Sequence, residues 1–395
     1  MSGVRRTQVA VVGAGPAGLV LANVLHRRGV DALVLERRSR WHVENHARAG
    51  LVEHRVAEHL RRWGLADRMS AEATRHGWCE VVVDGEQFRV DYEAGSGGLQ
   101  HWIYPQQFLL RDLLGSLDAV DRTPLFEQAV REVDLTGPRP LVRADGIEVE
   151  CEHVIGCDGT RGAVARAFPE RHGVRRRYPY DWLTVRAELT GPVEAIRYAV
   201  HEQGFAGLMP RAGSTARLYL QVPADEDLAR WPESRIREQL DLRLGTDRPD
   251  VVRIEEIDVL RMRSGIAADF RCGRAFLAGD AAHLLTPSGA KGMNLAIGDA
   301  ADLADALAQL HVDGDGAALD GYADRRRAEA ARALAFSENL LHLLHIPPGG
   351  GDSALRYRRR RIREIAANGP AAERFARAYV GAGRLVGLPA GHAVG

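Results

Sequence analysis

The chain has 395 residues, a formal net charge of zero and 6% aromatic residues. That length allows two or three domains with a substantial core. The charge balance gives no footing for nucleic acid or an acidic surface as partner. Cys79, Cys151, Cys157 and Cys272 show neither metal-ligand spacing nor a secreted disulfide pattern. They read as buried thiols in a reducing, cytoplasmic setting, with Cys151 and Cys157 separated by a strand, and no metal site is expected.

In chain order, Gln8 to Val12 is a short apolar strand, Ala17 to Arg27 a helical pattern and Ala32 to Leu35 a second strand ending in Glu36. Between them Gly13, Gly15 and Gly18 carry the G-x-G-x-x-G spacing. The first glycine permits the turn, the second lets a pyrophosphate approach the backbone, and the third lets helix pack on strand. Glu36 stands about 20 residues on, where an acid accepts the ribose hydroxyls of an adenosine. Arg5-Arg6 before the apolar stretch Val9 to Leu25 imitates a secretory signal, but the Gly-Ala-Gly-Pro interruption fits strand, turn and helix better. No segment reaches the roughly 20 uninterrupted apolar residues of a membrane span.

Val154 to Gly159 reads as an apolar strand breaking into an Asp-Gly turn at Asp158. Ala275 to Ala278 is a further strand, followed by Gly279-Asp280 and by Pro287-Ser288-Gly289-Ala290-Lys291-Gly292-Met293-Asn294, a Gly-rich turn opening a helix near Leu295. Such a turn is a pocket of backbone N–H groups suited to an anion. Lys291 is the only lysine in the chain, which suggests a compact point charge serving that pocket. Leu295, Leu303, Leu307 and Leu310 trace a buried helix face. Pro347 to Gly351 reads as a linker to final helices, in which Arg358-Arg359-Arg360-Arg361 is expected on a solvated face. A nucleotide turn alone leaves NAD and FAD open. The second turn far downstream selects FAD.

These three segments, in this order, resemble the single-component FAD-dependent aromatic hydroxylases, the group A flavoprotein monooxygenases, and most nearly their 4-hydroxybenzoate branch. Arg48-Ala49-Gly50 is similar to the family segment beside the isoalloxazine, and Tyr104-Pro105-Gln106 to its flavin-contacting Gln segment. Arg217 to Val222 is similar to the strand whose arginine touches a mobile flavin. The resemblance implies an α/β chain with a Rossmann-like FAD domain, an inserted β-rich substrate domain and a helical C-terminal portion. The expected boundaries are 1–175 for the first FAD part (76–97 joining the substrate domain), 176–261 for the insert, 262–345 for the second FAD part and 346–395 for the C-terminal segment.

The same resemblance implies that NAD(P)H reduces FAD and that oxygen, activated as the flavin C4a-hydroperoxide, hydroxylates an aromatic acid. Gly13, Gly15, Gly18, Glu36, Arg37, Arg48, Gln106, Asp158, Arg217, Asp280, Lys291, Gly292, Met293 and Asn294 would hold FAD. Arg211 would bind the substrate carboxylate, a bidentate task suited to a guanidinium. Tyr198 would bond the para substituent, Pro287 would offer its carbonyl to the substrate, and Tyr219 and Trp182 would line the pocket. Arg37, Arg38, His42, Arg161 and Arg263 would contact the nicotinamide cofactor, favouring NADPH, with NADH possible. A homodimer follows by family analogy.

Two family positions differ. Met209 replaces the serine that assists the carboxylate-binding arginine, and Leu385, within Leu385-Val386-Gly387, replaces the second tyrosine of a proton relay whose outer end is His76. Losing that tyrosine interrupts the exit of a phenolic proton. An amino-substituted benzoate, or 3-amino-4-hydroxybenzoate, is therefore expected alongside 4-hydroxybenzoate. A halogenase would carry Trp-x-Trp-x-Ile-Pro, which is absent here. An oxidase of the same fold and a non-catalytic flavoprotein that binds an aromatic acid are the other readings.

Overall fold

A computed structural model describes residues 4–46, 50–168, 173–211, 213–347 and 349–382. The first sheet is built on four parallel strands in the order Ala275–Leu277, Ile147–Gly156, Arg5–Val12, Ala32–Leu35. Val9 to Val12 is buried almost completely, as a central parallel strand covered on both faces must be. Helices Pro16–Arg27 and Lys291–Ala308 pack together on it. The second of these is buried nearly all round from Asn294 to Ala308, wider than the leucine stripe predicts, and Leu310 beyond it is only partly buried.

A second, seven-stranded sheet runs Val251–Leu260, Tyr180–Leu189, Thr215–Pro223, Gly204–Pro210, Ile196–His201, Trp78–Val83, Glu86–Asp91. The pair of strands between residues 78 and 91 thus joins strands more than a hundred residues away, through a parallel pairing of Trp78–Val83 with Ile196–His201. Alternation divides this sheet cleanly. Leu183, Val185, Leu218, Leu220, Ala206 and Leu208 face helix Glu233–Leu244. The opposite face carries Trp182, Tyr198, Phe205 and Tyr219, and packs on the C-terminal helices Tyr322–Leu344, Gly351–Ala366 and Pro370–Tyr379. Two small sheets complete the fold: Leu51–Val52 with His101–Ile103 and Thr74–His76, and Val174–Arg177 with Arg263–Ile266 and His283–Leu284.

Several local expectations are corrected. The arginine run is not simply a solvated face. Arg358 is buried and donates to the Ala354 carbonyl, while Arg359 grips Asp84, and Arg363 grips Glu86, at the turn between Trp78–Val83 and Glu86–Asp91. Cys151 lies inside strand Ile147–Gly156 rather than before it, and Cys157 closes that strand. The helix expected near Leu295 starts four residues sooner, at Lys291. Among the described residues no helix is long and apolar enough to cross a membrane.

His345 joins the two halves of the second core. Its ring stacks on Tyr180 at 4.6 Å and on Phe205 at 4.7 Å, and its Nε2 accepts the Trp182 indole N–H at 2.6 Å. Because an indole can only donate, the neutral ring carries its proton on Nδ1, which faces the Leu341 carbonyl at 3.0 Å. Burial lowers the His345 pKa to about 3, so the imidazole is uncharged in the fold.

Asp305 presents the opposite case. It is 4% exposed, and neither carboxyl oxygen has a hydrogen-bond partner among the described residues. Burial pushes its pKa up to about 7. A carboxyl raised above its unfolded value binds protons more tightly in the folded state. Its contribution to stability therefore falls as pH rises from about 4 to 7, and is flat above that. Asp305→Asn is expected to remove that segment of the pH profile and to stabilise the protein by about 1–3 kcal/mol at pH 8. Chemical denaturation at pH 5, 6, 7 and 8 measures it, and an unchanged slope in the variant would refute the assignment.

Candidate active site

The two glycine turns meet. At Gly279, which has φ of +63°, an added Cβ would lie 3.4 Å from Ala17 Cβ in one helix and 3.2 Å from Ala296 Cβ in the other. The first turn of Pro16–Arg27 and the second turn of Lys291–Ala308 thus flank one point. Neither helix has a side-chain cap at its N-terminus, so their leading N–H groups are left for a ligand. At Gly13, with φ of +107°, a Cβ would strike the Cys157 carbonyl oxygen at 2.4 Å, and at Gly18 one would strike the Gly13 carbonyl oxygen at 1.9 Å. Around Gly15 and Gly292 nothing lies within 4 Å of such a Cβ. Two glycines are demanded by the protein's own packing, and two keep open space beside backbone N–H groups.

The acids around this cradle are anchored. Glu36 is buried and accepts from the Ala14 N–H at 2.7 Å and the Arg38 N–H at 2.8 Å. Asp158 uses one oxygen to accept from Ala163 N–H at 2.6 Å, while its other oxygen is buried with no partner among the described residues. Burial raises the Asp158 carboxyl. Asp280 is exposed on the Gly-Asp turn. That turn is held from beneath by Asp299, which accepts from the Gly279 N–H at 2.8 Å, bonds His283 Nε2 at 2.6 Å and pairs with Arg326 at 2.7 Å. Asp299 carried no signal in the sequence beyond its place on the helix. The hydroxyls of Thr286 and Ser288, on either side of Pro287, are also buried without partners among the described residues. Open glycines, uncapped helix ends and orphaned polar atoms fit a dinucleotide with a polar ring edge, as FAD is.

The segments expected at the flavin ring are brought together as well. A Cβ on Gly50 would lie 1.7 Å from the Tyr104 carbonyl oxygen and 2.8 Å from Gln106 N, so the Gly50 strand and the Gln106 turn touch. Arg48 lies outside the described residues. Asn294 accepts from the Glu53 N–H at 2.8 Å and donates to the Leu51 and Ala290 carbonyls at 2.8 and 2.9 Å. Its amide ties this strand to the helix and has no donor left over. Met293 is half-buried on the same turn, and Arg217, on the sheet face that carries Tyr219 and opposite Met209, lies 4.0 Å from Glu256.

Lys291 corrects the sequence reading. Its ammonium does not face the glycine turn. It donates to Glu53 Oε1 at 2.7 Å, to the Ala378 carbonyl at 2.6 Å and to the Tyr379 carbonyl at 2.8 Å. All three donors are used. Burial alone would raise the Glu53 carboxyl, but the Lys291 and Arg55 charges offset it and hold it below the usual range.

On the substrate side, Tyr198, Gly207 and Tyr219 lie directly opposite one another on adjacent strands. Tyr219 packs on Trp182 at 4.9 Å. Met209 is half-buried on the same face, with Arg211 just past the end of its strand. The Arg211 backbone N–H donates to the Thr215 carbonyl at 3.0 Å, and burial lowers the pKa of its guanidinium. Pro287 does not present a wholly free carbonyl, since it accepts from the Ala290 N–H at 3.0 Å and keeps one lone pair. His76 is buried, bonds the Tyr92 hydroxyl through Nδ1 and accepts from Ile196 N–H at 3.4 Å; burial lowers its pKa to about 4.

The Tyr198 hydroxyl meets that of Tyr379 at 2.9 Å. A second tyrosine is therefore present, seven residues after Ala372 on the last helix, and the sequence reading missed it. Tyr379-Val380-Gly381 and Leu385-Val386-Gly387 share the Val-Gly pair, so the sequence offers two positions for the second phenol, of which the first carries a tyrosine. Gly381 fits the first copy: its φ is +66°, and a Cβ there would lie 1.9 Å from Glu53 Oε2. Leu385 lies outside the described residues. Burial raises both the Tyr198 and the Tyr379 phenols, so both are neutral donors and acceptors. Arg37, Arg38, Arg161 and Arg263 are exposed, and His42 is half-buried, stacked on His46 at 5.0 Å.

A family model described as an FAD binding domain matches residues 6–337. The chain is 30% identical over 350 residues to p-hydroxybenzoate hydroxylase of Acinetobacter baylyi, covering 86% of each. It is 28% identical to a 3-(3-hydroxy-phenyl)propionate/3-hydroxycinnamic acid hydroxylase of Comamonas testosteroni, covering 84% of this chain and 57% of that longer protein. The structure of p-nitrophenol 4-monooxygenase PnpA from Pseudomonas putida has the same fold, with a TM-score of 0.83 at 20% identity, covering 95% of this chain and 97% of that one.

Gly15→Ala separates cofactor space from folding. The φ of −79° suits alanine, and no protein atom lies within 4 Å of the new methyl. Thermal stability of the apoprotein is expected to stay unchanged while the FAD dissociation constant rises about tenfold or more. Flavin fluorescence titration reads this, and unaltered affinity would place the pyrophosphate elsewhere.

Proposed function

Because the chain belongs to the FAD-dependent aromatic hydroxylases, we propose that it hydroxylates the ring of a para-hydroxybenzoate, using NADPH and O2. The observation that carries this reading is the Tyr198–Tyr379 phenol pair on the sheet face that ends in Arg211. A guanidinium at one end and a phenolic acceptor at the other match a ring with a carboxylate and a hydroxyl in para relation. The balance is ArH, O2, NADPH and a proton giving ArOH, water and NADP+. FAD, when bound, supplies the electron transfer and the activation of O2.

The chain's own residues then do three things. Arg211 holds the carboxylate, with Met209 beside it where a hydroxyl would have shared the task. Tyr198 accepts the substrate's phenolic proton at Oη while its own proton passes to Tyr379 Oη and the Tyr379 proton leaves in turn to water, which raises electron density at the carbon ortho to the hydroxyl. The aromatic wall of Trp182, Phe205 and Tyr219 keeps water from the ring. With Tyr379 in place, the argument that an amino substituent is needed loses its premise. 3-Amino-4-hydroxybenzoate stays within the class because it keeps both the carboxylate and the para hydroxyl. Exposed Arg37 and Arg38 after the second strand supply cations for a 2′-phosphate, the basis for NADPH over NADH.

The test is NADPH oxidation by the FAD-loaded protein with para-hydroxy- and aminobenzoates, each followed by product mass. A para-hydroxybenzoate is expected to stimulate oxidation and yield a product one oxygen heavier. Failure of every benzoate would overturn the substrate assignment. Arg211→Lys is expected to weaken benzoate binding by about 10- to 100-fold, and to leave binding of the corresponding phenol without a carboxylate unchanged. Equal losses for both ligands would remove Arg211 from its role.

A further inference from the structure

The only lysine of the chain is buried at a junction of three segments that the reading above uses separately. It sits at the first position of helix Lys291–Ala308, so its backbone belongs to the cofactor turn. Its ammonium meets the last carbonyls of helix Pro370–Tyr379, at Ala378 and Tyr379, and the carboxylate of Glu53, two residues beyond Leu51. His101 Nε2 lies 2.9 Å from the same Tyr379 carbonyl, and the Tyr379 ring packs edge-on against His101 at 4.9 Å and Tyr92 at 5.0 Å.

Carbonyls at a helix C-terminus have no partner within the helix and carry partial negative charge. Three acceptors converge on one point here from different directions. A tetrahedral ammonium can serve them all, whereas a planar guanidinium has its donors in a fixed fork. That accounts for a lysine in a chain that otherwise uses arginine. The Glu53 carboxylate accepts Arg55 on its other oxygen at 2.8 Å, and Arg55 continues to Glu329 at 2.7 Å, so the buried charges are paired throughout.

We propose that Lys291 is the positioning residue for Tyr379: by tying the carbonyl end of the last helix to the cofactor turn, it sets the Tyr379 hydroxyl against that of Tyr198. Lys291 reaches no substrate in this scheme and acts through Tyr379 alone. The inference rests on the relay reading above, and its test keeps the two apart.

The test is a double-mutant cycle in FAD-loaded enzyme with Lys291→Met, Tyr379→Phe and both together. The readout is the apparent pKa of bound 4-hydroxybenzoate, followed by phenolate absorbance. The groups facing the pair are Glu53, Arg55, His101 and Glu329 around Lys291, and Tyr198, Tyr92 and Cys79 around Tyr379. Each single variant is expected to raise the bound phenol's pKa by roughly one unit, and the double variant to match Tyr379→Phe alone. A Lys291→Met shift that persists at full size in the Tyr379→Phe background would show its charge acting directly, and would overturn the proposal. Hydrogen exchange at amides 376–382 needs no substrate. It is expected to quicken about tenfold in Lys291→Met and, less, in Lys291→Arg, but not in Tyr379→Phe. Unchanged exchange in both lysine variants would refute the tether. If no benzoate binds, the substrate reading falls and exchange still decides the tether.

Discussion

A buried ammonium must be fully partnered, and in this chain that requirement organises the site. Lys291, 4% exposed, can stay charged only where carboxylate and carbonyl oxygens surround it. Glu53 supplies one, and the end of the last helix supplies two. Once those contacts are made, the cofactor turn, the strand leaving the Gly50 segment and the C-terminal helix are fixed relative to one another. The helix brings Tyr379, and with it the second phenol beside Tyr198. Removing Glu53 would leave the ammonium without a carboxylate in a low-dielectric interior, which costs about 3–5 kcal/mol in typical buried pairs, whereas Glu53 without Lys291 would keep its pair with Arg55.

Neutral polar groups do the corresponding work in the second core. Tyr198 and Tyr379 are buried phenols whose ionisation is suppressed, and His76 and His345 are buried imidazoles whose protonation is suppressed. All can exchange hydrogen bonds without placing net charge beside an apolar ring. Such a surface suits the proposed substrate, whose own hydroxyl must come close to ionisation. A charged base there would repel the developing phenolate, whereas a neutral phenol both accepts its proton and donates back to it.

What the sequence disclosed follows from how local each signal is. Glycines that need positive φ or a close backbone approach leave a mark at one position, so Gly13, Gly18 and Gly279 were legible. So was the far-separated pair of turns. Lys291 was noticed for its rarity, but its partner was not, because Glu53 is 238 residues away and no spacing rule links them. Tyr379 was hidden by a duplicated Val-Gly pair. Choosing between the copies required knowing that Gly381, and no larger residue, fits against Glu53. The arginine run misled for a related reason: like charges in a row read as solvated unless the acids that grip Arg359, Asp84 and Glu86, are seen across the fold.

The same long-range contacts explain why this architecture can be retuned for different rings. The cofactor cradle depends on glycines and helix ends whose geometry is set by backbone packing, so it tolerates little variation. The substrate face depends on side chains projecting from a sheet whose strands are held by the opposite, purely apolar face against Glu233–Leu244. Met209, half-buried near the end of its strand, can therefore change size or polarity without disturbing the strand register, whereas a side chain at Gly207 would press on the Phe205 ring, 2.9 Å from the added Cβ. On the proposed reading, substrate preference is set along that face while the buried ammonium, bonded to the Ala378 and Tyr379 carbonyls, holds the helix that completes it.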